Sequence, residues 1–304
     1  MKIHFSNVDF SSRSGPNTFG TRLARQFLKM GHEIVGPEDQ YEVFLAFIEP
    51  KTQPRPGSKF IHRLDGIWFK PEQFHSHNKL IKWAYDRADK VICISDFNKK
   101  MAAHYWGDVE ATVINNGIEL IRSKVEDEQI KKLREKYSKI FVSSANWHRQ
   151  KRLKENIECF KLLQESQDDS CLIVLGSNPD HVVKDPDIFY AGNMPHEICL
   201  QVFSAADWMI HLAWLDHCPN SVVEGMSQNC GIICASSGGT KEAVGKNGII
   251  VQEKEEYQYQ LADYDSPPEI DFSNIKIPES IDIDNSILDI SEIAKRYIKV
   301  IESA

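Results

Sequence analysis

Long apolar runs are missing from this 304-residue sequence: no stretch of 18 apolar residues occurs, which excludes a membrane-spanning helix. The opening MKIHFSNVDF is too polar, and its apolar part too short, for a secretory signal, so a cytoplasmic chain is expected. Cysteine is scarce and odd in number, with seven residues (93, 159, 171, 199, 218, 230 and 234), most of them inside apolar runs such as KVICIS and GIICAS. They read as reduced, mostly buried thiols without a disulfide framework. A basic stripe with interleaved aromatics is also lacking, which argues against a nucleic-acid partner. Neither a G-x-G-x-x-G fingerprint nor the Gly-Lys-Ser/Thr ending of a P-loop is present, and a nicotinamide-dependent oxidoreductase is disfavoured accordingly.

What is present suits a globular protein, with 41% hydrophobic and 26% charged residues. The length allows two domains of ordinary size, each with its own core. The formal net charge of −8 is unevenly spread: residues 1–140 carry 23 Lys/Arg against 18 Asp/Glu, and residues 141–304 carry 13 against 26. Two domains with different partners are expected.

Short apolar runs alternate with helical patterns in both halves. MKIHFSNV, HEIVGP, YEVFLAFI, SKFIHRLD and KVICIS read as strands, with GTRLARQFLKMGH and LIKWAYDRA as helices, and ATVINNGIE closes the set. VEDEQIKKLREKY (125–137) reads as a connecting helix. KIFVSSAN, CLIVLGS, DIFYAGN, DWMIHLAW, GIICAS and GIIVQ then repeat the strand pattern between helical segments. Residues 252–285 are acidic and rich in Pro, Ser and Asp, and read as a loop or poorly packed crossing. SILDISEIAKRYIKVIE makes a last amphipathic helix with Leu288, Ile293, Tyr297, Ile298 and Ile301 on its apolar face. Strands alternating with helices predict parallel, doubly wound α/β sheets, with a ligand cleft at the carboxyl ends of the strands.

Three loops carry candidate chemistry. In SSRSGPNTFGTRLA, small residues between a strand and a helix would let backbone N–H groups approach an anion; a plain tight turn explains the same residues. In SANWHRQKRLKENIE, Arg149, Lys151, Arg152 and Lys154 cluster ahead of a helix start, which suits a diphosphate, although a solvated basic face would look alike. LAWLDHCPNSVVEGM sets Asp216, His217 and Cys218 before a helix capped by Asn220 or Ser221, with Glu224 in its first turn. Adjacent side chains diverge, so a zinc site there is weak; no His is singled out to pair with Cys218 as a nucleophile. A carboxylate at Glu224 could accept hydrogen bonds from a vicinal diol, and Asp216 could reach the same ligand. His62, followed by Arg63 and Asp65, ends a first-half strand and is a candidate on the cleft side or an ordinary packed histidine.

DHCPNSVVEGM resembles the E-x7-E region of the retaining GT-B glycosyltransferases of family four, the glycosyl transferases group 1. SSGGTKEAVGKNGIIV, SANWHRQKRL, FYAGNMPHEICLQVFSAADWMI, ISDFNKKMAAHYW…ATVINNGIE and SGPNTFGTRLARQFLKMGHEI resemble further family segments, in the family's order from residue 1 to about 251. The resemblance implies a GT-B fold of two facing Rossmann-like domains, parallel in their sheets, with a deep cleft between. Residues 1–135 would bind the acceptor and 136–285 the nucleotide-sugar donor, while 286–304 form a helix crossing back to the first domain. It implies transfer of a sugar from a UDP- or GDP-sugar to a glycan, lipid-linked or small-molecule acceptor, with retention and without metal or other cofactor. Glu224 would hold the donor ribose, and Lys151, aided by Arg149, the diphosphate. Asn193 and Met194 would line the base, and Asp216, His217, Cys218, Pro219, Asn220 and Ser221 the sugar. Gly15 would approach the phosphates on closure, His62 the donor sugar, and Arg63 and Asp65 would lie on the acceptor side.

The sequence departs from the family at four places. Asp216 stands for the first Glu, His217-Cys218 for Gly-Phe, Asn146 for an Arg and Asn115 for a Pro. A GT-B nucleotide-binding or regulatory module without catalysis is the alternative. The modest basic excess of the first half suits a phosphorylated acceptor or weak peripheral contact with the inner, anionic membrane face.

Overall fold

A computed structural model gives the fold, and it describes residues 1–12, 14–166, 169–279 and 281–304. Arg13 of the first candidate loop and Ser280 of the acidic segment lie outside the described residues.

The first half runs β1 (Lys2–Ser6), α1 (Gly15–Lys29), β2 (Glu33–Val35), β3 (Val43–Phe47), β4 (Lys59–Leu64), α2 (Pro71–His77), α3 (Lys79–Arg87), β5 (Lys90–Cys93), α4 (Asp96–Trp106) and β6 (Ala111–Val113). The second runs α5 (Glu128–Lys136), β7 (Lys139–Ser144), α6 (Leu153–Gln164), β8 (Ser170–Leu175), β9 (Ile188–Gly192), α7 (His196–Ala205), β10 (Trp208–His211), α8 (Asn220–Ser227), β11 (Gly231–Ala235), α9 (Thr240–Val244), β12 (Gly248–Glu253), β13 (Ile270–Asp271) and α10 (Ile290–Glu302).

Strands β3 and β8 are buried at every position, the signature of parallel strands covered on both faces by helices. The first sheet has the order β2-β1-β3-β4-β5-β6, parallel throughout. The second has the order β13-β12-β11-β10-β7-β8-β9, parallel except for β12 against β13. Strand order reverses between β7 and β10 in the second sheet and between β1 and β3 in the first. The loops that follow these strands therefore part there and open a crevice, the usual place for a ligand in such sheets.

Two segments tie the halves together. Helix α10 lays Ile293, Ala294, Tyr297 and Ile301 into the same core as Ile3, Phe5, Phe19, Leu23 and Phe27 of the first half. Its entry is fixed by Ile118 N–H to Leu288 O (2.8 Å) and Ile290 N–H to Ile118 O (3.1 Å). The second segment is a loop, as one reading of residues 252–285 expected, but a packed one. Residues 252–253 finish β12, and the chain then crosses to the first half as a packed strap. Tyr257, Tyr259, Leu261, Ala262 and Tyr264 lie against a cluster that contains Phe69, Phe97 and Trp214. Ala262 N–H reaches Phe69 O at 3.0 Å, and Phe69 N–H reaches the Tyr264 hydroxyl at 3.1 Å. All seven cysteines are free, and all but Cys199 are buried. Among the described residues, no helix is long and apolar enough to cross a membrane.

Candidate active site

The loop after β7 delivers Lys151. A single turn of 3-10 helix, Arg149–Lys151, precedes Arg152 in the left-handed region (φ 57°), a conformation that costs a non-glycine residue on the order of 1 kcal/mol. Arg152 is held there by its own burial: the fully enclosed guanidinium donates to Glu253 (2.6 Å), Leu212 O (3.2 Å) and Pro268 O (2.5 Å). The expected basic cluster is thereby divided. Arg149 pairs with Glu155 at 2.7 Å and Lys154 with Glu158 at 3.6 Å, leaving Lys151 to meet Asp216 at 2.5 Å.

Asp216 leaves the end of β10. Burial pushes its carboxyl pKa up, but the Lys151 ammonium and His211, 3.4 Å away, overcome this and hold it well below the usual carboxylate range. It is ionised at any ordinary pH. His217 sets its ring at a tilt against Phe97, centroids 5.3 Å apart, and lies against Gly66, where a Cβ would stand 2.6 Å from its Nε2. Cys218 is buried, and desolvation pushes its thiol up to about 12, so it is no nucleophile at neutral pH. Its carbonyl accepts from Asn116 Nδ2 at 2.8 Å.

Helix α8 starts at Asn220 with Pro219 at the cap, and no side chain caps it. The expected cap by Asn220 or Ser221 is thus corrected: Asn220 is drawn away, its Nδ2 donating to Gly15 O at 2.8 Å and its Oδ1 accepting from Asn116 at 3.1 Å. Glu224 falls in the second helical turn rather than the first. It is 8% exposed, and its Oε1 accepts from Arg22 Nη2 at 2.5 Å and lies 3.2 Å from His196 Nε2. Burial raises this carboxyl, yet His196 and Arg22 together hold it below the ordinary value. Asn193 and Met194 are exposed on the loop between β9 and α7, the helix that His196 begins.

Three first-half candidates engage protein partners. His62 is 0% exposed; it lies inside β4, and its Nε2 donates to Ile48 O at 2.7 Å, the packed histidine that was the other reading. Arg63 is buried and forms an ion pair with the half-buried Asp65. The Arg63 guanidinium also donates to Asn116 Oδ1 (2.7 Å) and the Tyr297 hydroxyl (3.0 Å) and lies over the rings of Phe19 and Phe47.

The structure pairs Lys151 with Asp216 and Asn220 with Gly15, and sets Glu224 on the helix that Asn220 begins. It adds Arg22, His196, His211 and Glu242, which the sequence reading did not single out. Glu242 accepts the first N–H groups of α4, from Asp96 at 2.5 Å and Phe97 at 2.7 Å, and so caps a first-domain helix from the second domain. Beside it a Cβ on Gly239 would stand 2.5 Å from Ser95 Oγ, so only glycine allows this approach. A signal for Arg22 existed in the sequence: positions 19, 22, 23, 26 and 27 share one helical face, and Arg22 and Gln26 are polar intruders on it. Surface cavities of about 560 and 470 Å³ lie elsewhere, and neither is lined by Lys151, Asp216 or Glu224. Among the described residues no group of three His, Cys, Asp or Glu is placed to hold a metal ion.

Two facing, mostly parallel α/β domains, with polar side chains meeting at both switch points, define the GT-B class. Solved structures of this class superpose on the chain. HepE from Anabaena, crystallised with UDP-glucose, matches with a TM-score of 0.67 at 15% identity over 100% of both chains. Sucrose-phosphate synthase from Thermosynechococcus elongatus matches at 0.63 and 12%, over 99% of this chain and 94% of that one. A glycosyltransferase from Rickettsia africae matches at 0.61 and 14%, over 84% of each. No curated protein matches this sequence. Residues 137–263 match the family model described as glycosyl transferases group 1. That match covers most of the second domain, and the fold that carries it is GT-B.

Proposed function

We propose that the protein is a glycosyltransferase that moves a sugar from a nucleotide-sugar donor, with retention at the anomeric carbon and without metal, to a glycan, lipid-linked or small-molecule acceptor. The observation that carries this reading is the placement of Lys151, Asp216 and Glu224 after β7, after β10 and on α8, around one switch point and opposite Gly15. HepE was crystallised with UDP-glucose, which makes a UDP-sugar the first donor to try.

The chemistry follows from the charges. Bond cleavage at the anomeric carbon leaves a nucleoside diphosphate, and the growing negative charge needs fixed cations and N–H dipoles rather than a reorganising solvent. Lys151 supplies the cation by exchanging Asp216 for a phosphate oxygen, with α8 and α1 directing their N-termini toward the same crevice. Asp216, released from Lys151 but still beside His211, accepts hydrogen bonds from sugar hydroxyls. Glu224 accepts from the ribose diol, and the Asn193–Met194 loop covers the base. The departing phosphate takes the acceptor proton, so no separate base is assigned. The enzyme works in the cytoplasm with no nucleic-acid partner, and the basic first half suits an anionic acceptor or a membrane-face contact.

The test is release of nucleotide from a panel of UDP-, GDP- and ADP-sugars, with EDTA present and absent. Turnover that Glu224→Ala abolishes and EDTA leaves intact supports the reading; a panel without binding defeats it. A second reading, a GT-B module that binds nucleotides without turnover, is favoured by one observation: Lys151, Arg149 and Glu224 each already hold a protein partner. Binding without turnover across a broad acceptor screen would select it.

A further inference from the structure

Glu224 is gripped from the opposite domain. Arg22 lies on α1 of the first domain, is 5% exposed, and donates through Nη2 to Glu224 Oε1 at 2.5 Å. The same oxygen lies 3.2 Å from His196 Nε2, whereas no hydrogen bond from the described residues reaches Oε2. Arg22 Nη1 is itself buried and has no partner among the described residues. A desolvated guanidinium with an idle terminal nitrogen is costly to keep. A structural salt bridge alone would be better served by a bidentate grip on both carboxylate oxygens. Here the contact uses one oxygen of Glu224 and one terminal nitrogen of Arg22 at the junction of the two domains.

We propose that Arg22 is a positioning residue of the donor site: it fixes the Glu224 carboxylate by Oε1 so that Oε2 meets the ribose hydroxyls of a nucleotide. Because Arg22 and Glu224 belong to different domains, ribose recognition is then complete only when the domains are together. This rests on the nucleotide-sugar reading above and deepens it. Arg22 acts through Glu224, so its loss blurs the distinction between ribose and deoxyribose rather than weakening all nucleotides alike.

The experiment is calorimetric titration of the intact chain with UDP, ADP and GDP and with their 2′-deoxy counterparts. The wild type is expected to favour the ribonucleotide by about tenfold, the worth of one hydrogen bond to a charged group. In Arg22→Met the preference falls to within about twofold, as it does in Glu224→Gln, and Arg22→Lys recovers part of it. The double variant is expected to be no worse than the poorer single one, as for residues that act as a unit. A ratio of affinities cancels any loss of folded protein, and thermal midpoints of the variants check folding directly. Should Arg22→Met weaken both sugars equally while Glu224→Gln still removes the preference, Arg22 is merely structural and the inference fails alone. Absence of any nucleotide binding, or a Glu224→Gln variant indistinguishable from wild type, overturns the donor reading and the inference with it.

Discussion

Lys151 and Asp216 hold each other at 2.5 Å, and this contact sets what each can do. Both side chains are partly exposed, so the pair contributes about 1 kcal/mol or less to stability. Under the proposed function, the pair keeps an oriented ammonium at the switch point that a diphosphate would take over from the carboxylate. Lys151→Met is therefore expected to lower nucleotide release by about 10²–10³-fold while shifting the thermal midpoint little; steady-state kinetics beside a melting curve check both halves. His62 makes the opposite kind of prediction. Burial lowers its pKa from 6.5 to about 4, so between these values the unfolded chain binds a proton that the folded chain refuses. Stability is full above about pH 6.5 and is lost as pH falls through that window, by about 1.4 kcal/mol per pH unit for this residue. Denaturant midpoints at pH 7 and 5 measure the slope, and His62→Gln, which keeps a donor for Ile48 O, should flatten it by about one proton.

At the scale of elements, helix α10 and the strap are held by different chemistry. The helix buries an apolar stripe, legible in the sequence as Ile293, Tyr297, Ile298 and Ile301, all buried, with Leu288 buried in the turn before it. What the stripe packs against was not legible, because periodicity names the face of a helix and not its partner. The Tyr297 hydroxyl accepts from Arg63 Nε at 3.0 Å inside the core, so Tyr297→Phe strands a buried charged donor and should cost about 1–3 kcal/mol in chemical denaturation. The strap escaped the sequence reading because Tyr257, Tyr259 and Tyr264 are spaced among acids and prolines with no helical or strand period. Their order comes from Phe69, Phe97 and Trp214, which lie far away in the chain. Phe69→Ala should cost about 3–5 kcal/mol and loosen the strap, which limited proteolysis between residues 254 and 269 would detect.

For the whole molecule, the contacts between domains decide how the site works. Arg22 to Glu224, Asn220 to Gly15 and Glu242 to the start of α4 are all polar and all cross the cleft. Polar cross-contacts exchange readily with ligand and water, whereas the apolar strap and α10 keep the halves tethered during that exchange. A nucleotide that binds only the folded form should raise stability by about 2.7 kcal/mol at a hundred times its dissociation constant. Thermal shift with UDP, ADP and GDP tests this and ranks the bases; a flat response to all three would count against the donor site.

The sequence by itself determined the two α/β halves, the loops after β7 and β10, and the pair Asp216 and Glu224 eight residues apart. Alternation of apolar runs and local spacing carry that information, because strand burial and helix starts depend on near neighbours. Only the tertiary structure decided that Arg63 pairs with Asp65 and Asn116, that His62 packs against Ile48, that Arg152 closes on Glu253, and that Arg22 reaches Glu224. Most of these are choices of partner between residues tens to hundreds of positions apart. A charged side chain takes whichever opposite charge the packing of two domains brings within about 3 Å, and no local pattern records that distance.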